Sequence, residues 1–189
     1  MSAAGPPQGA RPPPGERREA TQGGHHTTAA SAPTTAFLLA HPAHFLALGF
    51  GAGLMRVAPG TAGTLLAIPL ALLLRRYTND IGFIVTIVAL FVAGAWAAQV
   101  SGRNMTDADH GAIVIDEVVA FLIVLFFVGD DWLRIAFAFL LFRFFDIVKP
   151  SPIRNLDASL KNGFGVMLDD VLAAAYTLLV LALWHRLFG

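Results

Sequence analysis

The sequence predicts an all-α protein: a polytopic membrane helical bundle of four to five spans, with a short re-entrant or helical segment near the N-terminus. Three observations predict it. Hydrophobic residues fill 56% of the 189 positions and charged residues 14%, where soluble domains carry roughly 25% charged. Apolar runs follow one another in series, and residues 81–100 contain no charge at all, which is long enough for a helix to cross a bilayer. Backbone groups in lipid must be bonded within their own segment, so these runs are helices. The β-branched stretch 113–128 lacks the polar alternation that a strand would need.

The elements follow in order. Residues 1–36 are rich in Pro, Gly, Ala, Ser and Thr, with Arg11, Arg17 and Arg18 and no apolar periodicity. They predict a disordered tail, not a signal peptide, because no apolar core closely follows the arginines. Residues 37–189 form the membrane-embedded domain. Its first segment, HFLALGFGAGL (44–54), is short and glycine-rich. TLLAIPLALLL (64–74) holds Pro69 and stops at Arg75 and Arg76, so it either spans with its flanks or re-enters. Segments 81–100, 112–128, 132–148 and 166–184 are the credible spans. Gly129, Asp130 and Asp131 join two of them tightly, which predicts an antiparallel hairpin.

If 64–74 spans, the region up to Thr61 and the loops 101–111 and 149–165 share one face. That face carries Arg56, Arg103, Lys149, Arg154 and Lys161. The other carries Arg75, Arg76 and Arg186 against Asp80, Asp130 and Asp131. The excess of basic residues puts the first face in the cytoplasm. Net charge is zero, which gives no sign of a nucleic-acid partner. The chain has no cysteine, which excludes disulfides, Cys-ligated zinc and a thiolate nucleophile.

Of 13 acidic residues, eight gather at the predicted cytoplasmic face: Asp107, Asp109, Asp116, Glu117, Asp146, Asp157, Asp169 and Asp170. Asp116, Glu117, Asp169 and Asp170 are expected in first turns of helices, where the dipole favours an acid. Asp146 is expected in a last turn, where it does not. Asp146 and Lys149, three apart, share a helix face. Ionisable groups at membrane depth cost several kcal/mol and mark function. Carboxylates without cysteine suit a hard cation such as Mg²⁺, commonly shared with a substrate phosphate. Lys149, Arg154 and Lys161 suit an anionic head group. The glycine-rich LGFGAGL and VAPGTAGT offer backbone N–H groups, with Thr61, at a helix start able to cradle phosphate. His110, between Asp109 and Gly111, is a candidate proton carrier or ligand. Together these parts describe metal-assisted chemistry on a phosphate at the membrane surface.

Four blocks, LGFGAGLMRVAPGTAGT, DADHGAIVIDEVVAF, FRFFDIVKPSPIRNLD and NGFGVMLDDVLA, resemble the bacterial phosphatidylglycerophosphatase A family. The resemblance covers roughly residues 44 to 175. It implies a Mg²⁺-dependent, multi-pass inner-membrane enzyme whose site faces the cytoplasm and which dephosphorylates phosphatidylglycerophosphate to phosphatidylglycerol. Carried over residue by residue, it implies catalytic roles for His110, Asp116, Asp146, Lys149 and Asp170. It implies substrate contacts at Gly60, Thr61, Asp109, Lys149 and Arg154, and metal ligation by Glu117, Asp146, Asp169 and Asp170. Direct hydrolysis and an aspartyl-phosphate intermediate both stay open at this point.

Two other classes compete. A phosphatidyl group transferase also clusters acids at helix ends, but needs an Asp-Gly-x₂-Ala-Arg pattern that is absent. A cation- or proton-coupled transporter needs acids near mid-bilayer and an internal repeat, and neither is visible. Oligomeric state has no sequence signal.

Overall fold

The computed structural model describes residues 33–105, 111–151, 153 and 162–188. Among them every regular element is helical. The order is α1 (Thr35–Ala40), α2 (Pro42–Ala47), a 3-10 segment (Gly49–Leu54), α3 (Pro59–Tyr77), α4 (Asp80–Asn104), α5 (Ile115–Val128), α6 (Trp132–Val148) and α7 (Gly163–Phe188). The expected tail lies outside the described residues up to position 32, and α1 takes in its last two residues, Thr35 and Ala36.

Helix α5 is the axis of the bundle. Its sequence IDEVVAFLIVLFFV is apolar on every side apart from the acidic pair, and a helix of that kind has no face to offer water. Ile115, Val118, Val119, Ala120, Phe121, Leu122 and Val124 are accordingly fully buried. Helices α3, α4, α6 and α7 all pack on α5. The Phe121 ring meets Phe139 and Phe142 of α6, with centroids 5.9 and 5.4 Å away. Close approach depends on small residues, as is usual between membrane helices. Gly163 opens α7 directly against the Ala95 carbonyl and Gln99 of α4, where a Cβ would overlap the backbone.

Helix α3 is one continuous helix of 19 residues that passes through Pro69. It starts beside Glu117 at the head of α5 and ends where Arg75 donates to the Leu125 carbonyl and pairs with Asp130 at 3.2 Å. The expected segment 64–74 is therefore the middle of a helix about 28 Å long. The α5–α6 hairpin turns at Gly129, whose φ is 82°, and Asp131 caps α6 by accepting from Arg134 N at 2.8 Å.

The short N-terminal elements brace the head of α5. His44 of α2 is buried, with Nδ1 2.9 Å from Ser101 Oγ and Nε2 3.3 Å from Asn104 Nδ2. An amide NH₂ only donates, so Nε2 accepts and Nδ1–H donates, which requires a neutral ring. Burial, with His41 alongside, pulls the His44 pKa below its ordinary value. Ala47 at the end of α2 then accepts from Val114 N at 2.9 Å, one residue before α5 begins.

Of the four to five expected spans, two helices among the described residues, α4 with 25 residues and α7, are long and apolar enough to cross a membrane. The remaining three, α3, α5 and α6, have 19, 14 and 17 residues. The short α5 is sheathed by its neighbours and does not need a bilayer's length. The exterior is apolar: Val85, Val88 and Val92 on α4, Leu140 on α6 and Leu179 on α7 are all more than half exposed. Such a surface points to a membrane protein.

Phe121→Ala is expected to cost about 3–5 kcal/mol because it empties the centre of the bundle. Leu133→Ala, at an exposed position, should stay within about 0.5 kcal/mol. Thermal unfolding of both variants in the same detergent micelle checks the contrast.

Candidate active site

One end of the bundle gathers the starts of α3, α5 and α7 and the end of α6. Asp116 and Glu117 are the second and third residues of α5. Asp146 lies in the last turn of α6, and Lys149 caps that helix in the left-handed conformation, φ 44°. Gly60 and Thr61 occupy the first turn of α3. Asp109, His110 and Arg154 lie outside the described residues, as do Asp107, Asp157 and Lys161.

Asp169 and Asp170 are not in a first turn as expected. Asn162 accepts from Gly165 N at 2.8 Å, which caps α7 and starts it at Gly163, inside the glycine-rich NGFG. The two acids are thus the seventh and eighth residues of the helix, beyond the reach of the terminal dipole. Neighbours on a helix point about 100° apart, and the two side chains diverge. Asp169 meets Lys149 Nζ at 2.5 Å. Asp170 turns to the head of α5.

There Asp116, Glu117 and Asp170 each present a carboxylate oxygen, all within 4.8 Å of one another. Asp146 and Asp169 complete the electrostatic surroundings of this trio. Asp116 and Asp170 are buried, and Asp116 Oδ1, Glu117 Oε2 and Asp170 Oδ2 have no hydrogen-bond partner. Buried polar atoms are almost always paired, and buried charges need a partner or a metal. Three convergent carboxylates, each also carrying a buried oxygen with no hydrogen-bond partner among the described residues, are a donor set that suits a hard, oxygen-loving cation such as Mg²⁺.

Arg143 is the residue that sequence reasoning missed. Its guanidinium pairs with Asp146 Oδ2 at 2.6 Å and reaches Glu117 Oε1 at 3.7 Å. The available signal was an arginine inside WLRIAFAFLLFRFFDIV, three residues before Asp146. Gly60 closes the site on the α3 side. A Cβ at this position would collide with Glu117 Oε1, so the first turn of α3, with its free N–H groups, stands directly against the acids. Of the glycine-rich turn, Gly53 lies against the Ala112 carbonyl and Gly49 against Val114. That turn supports the approach to α5 and does not face the trio.

The model of the family described as phosphatidylglycerophosphatase A matches residues 45–185. A protein of that name from Haemophilus influenzae is 44% identical over 149 residues, covering 78% of this chain and 91% of its own. Its Escherichia coli namesake is 36% identical over 136 residues, covering 71% and 78%. A Bacteroides thetaiotaomicron protein, provisionally named phosphatidylinositol-3-phosphatase, is 42% identical over 149 residues, covering 75% and 92%. No solved structure matches the chain.

Asp116→Asn, Glu117→Gln and Asp170→Asn are each expected to weaken divalent-cation binding at least about tenfold. Asp80→Asn, at the other end of the bundle, should leave it unchanged. Titration of Mn²⁺ followed by its paramagnetic resonance signal in detergent makes the comparison.

Proposed function

As a member of the phosphatidylglycerophosphatase A family, the chain is a phosphatase, and we propose that it hydrolyses the terminal phosphomonoester of phosphatidylglycerophosphate to give phosphatidylglycerol and phosphate. The observation that carries this is the convergence of the Asp116, Glu117 and Asp170 carboxylates, with Glu117 set against the first turn of α3. Donors for a cation and N–H groups for a phosphate stand side by side.

In this reading Asp116, Glu117 and Asp170 hold Mg²⁺, with Asp146 and Asp169 beside them. When bound, the cation supplies charge neutralisation at the phosphate oxygens and a more acidic water. The protein's own residues do the rest. Gly60 and Thr61 direct backbone N–H groups and the helix dipole at the phosphate. Asp169 holds Lys149 at the rim, where its ammonium attracts the anionic head group. Asp146, fixed by Arg143, accepts a proton from the attacking water. Water adds at phosphorus, the ester P–O bond breaks, and the lipid hydroxyl departs carrying a proton. By family resemblance, His110 is proposed as proton carrier, and Asp109 and Arg154 as head-group contacts.

The basic residues Arg56, Arg103, Lys149, Arg154 and Lys161 favour a cytoplasmic site in a multi-pass inner-membrane protein. A second reading has one observation behind it, the relative named for a 3-phosphoinositide. It keeps the chemistry and changes the head group.

Phosphate release by purified protein in mixed micelles tests both. Phosphatidylglycerophosphate should be turned over in preference to phosphatidylinositol 3-phosphate, and EDTA should abolish release. Full activity in EDTA would sink the metal assignment, and preference for the inositol lipid would sink the substrate. Asp170→Asn should lose at least about 100-fold in kcat while still inserting and melting as a folded protein. Gly60→Ala should also lose about 100-fold, because the new methyl displaces Glu117 by roughly an ångström.

A further inference from the structure

We propose that Arg143 contacts the substrate directly and is a phosphate-binding residue of the site, an inference that rests on the phosphatase reading above. Its guanidinium has five N–H donors and no acceptor. Nη1 faces Asp146 and Glu117. Nε is buried and has no hydrogen-bond partner among the described residues, and Nη1, though ion-paired with Asp146, makes no hydrogen bond there either. A donor taken out of water and left unpaired carries a desolvation cost, and an incoming acceptor removes it.

The position of the guanidinium says which acceptor. A Cβ built on Gly60 would stand 3.1 Å from Arg143 Nη1. The guanidinium therefore lies beside the first turn of α3, next to the Glu117 carboxylate that stands against that turn. A further carboxylate is not wanted there, because five already crowd the site. A phosphate oxygen fits, since a guanidinium fork matches phosphate geometry and the neighbouring helix start favours an anion. Lys149 is engaged by Asp169, and Arg56 and Arg103 are exposed. Arg143 keeps Asp146 on Nη1 while Nε takes the phosphate, so one side chain links the proton acceptor to the group under attack. A lysine cannot hold both, because its ammonium is a single point on a flexible stem.

Full-length protein in detergent with saturating Mg²⁺ is titrated calorimetrically with inorganic phosphate, for the wild type, Arg143→Lys and Arg143→Gln. Divalent-cation affinity and thermal melting are measured beside it. Both variants should bind phosphate at least about tenfold more weakly, with cation affinity within about threefold of wild type. Unchanged phosphate affinity in Arg143→Lys overturns the proposal. So does a loss that appears only together with lost cation binding, which is what a purely structural tether for Glu117 and Asp146 would produce. If Arg143→Gln fails to melt cooperatively, Arg143→Lys, which keeps the charge beside Asp146, carries the test. A wild type that binds phosphate through Arg143 but leaves phosphatidylglycerophosphate intact removes the assigned substrate and keeps the contact. A wild type that turns over the lipid with no measurable phosphate binding removes the contact and keeps the substrate.

Discussion

Everything at the acidic end follows from forcing carboxylates together at the head of an apolar helix. Asp116, Glu117 and Asp170 bring oxygens within 4.8 Å of one another. At an effective dielectric of 20, two unit charges at that distance repel by about 3–4 kcal/mol, and three pairs share the space. The start of α5 offsets part of this through its dipole. Arg143 offsets more by lying across Glu117 and Asp146. On the proposed reading, the complement of what remains is a small dication. On that reading, relief of this repulsion contributes to the affinity for the cation.

The fold is arranged to hold that conflict still. A helix with no polar face must be covered on all sides, and α3, α4, α6 and α7 cover α5. The same contacts fix the azimuth of its first turn, and so of Asp116 and Glu117. Gly60 lets α3 close on Glu117, and Gly163 lets α7 close on α4, with its eighth residue, Asp170, completing the trio. His44 and the Ala47 carbonyl tie the approach to α5 from the opposite side. Lys149 sits in a left-handed conformation that a side chain adopts at a cost of order 1–3 kcal/mol, and its ion pair with Asp169 accompanies that posture.

Much of this was legible in the sequence, for identifiable reasons. Apolar runs interrupted by acids announce both helices and site, because hydrocarbon tolerates no idle carboxylate. The divergence of Asp169 and Asp170 follows from helical periodicity alone. Which one joins the trio does not, because it depends on how α7 rotates against α5. The start of α7 was read three residues late. The glycines of NGFG look like a loop, whereas Asn162 caps the helix and Gly163 is there for packing. Arg143 went unnoticed because an arginine in an apolar run has no periodic signature. Its meaning comes from Glu117, 26 positions earlier on a different helix.

The depth of the site connects the fold to a lipid substrate. Asp170 stands about 10 Å along α7 from its first residue, and the helix beyond it, Val171 to Phe188, runs on for about 27 Å. That remainder nearly matches the roughly 30 Å hydrocarbon core of a bilayer. The acids therefore mark the edge of the apolar zone and not its middle, which is where a coupled transporter would need them. A phosphomonoester on a membrane lipid also sits at that edge, held there by its own acyl chains. On the proposed reading, the enzyme need not lift its substrate out of the bilayer. The lipid arrives by lateral diffusion with its phosphate already at the height of Gly60, Arg143 and the trio. The membrane does part of the positioning, and a site built from so few polar side chains can suffice.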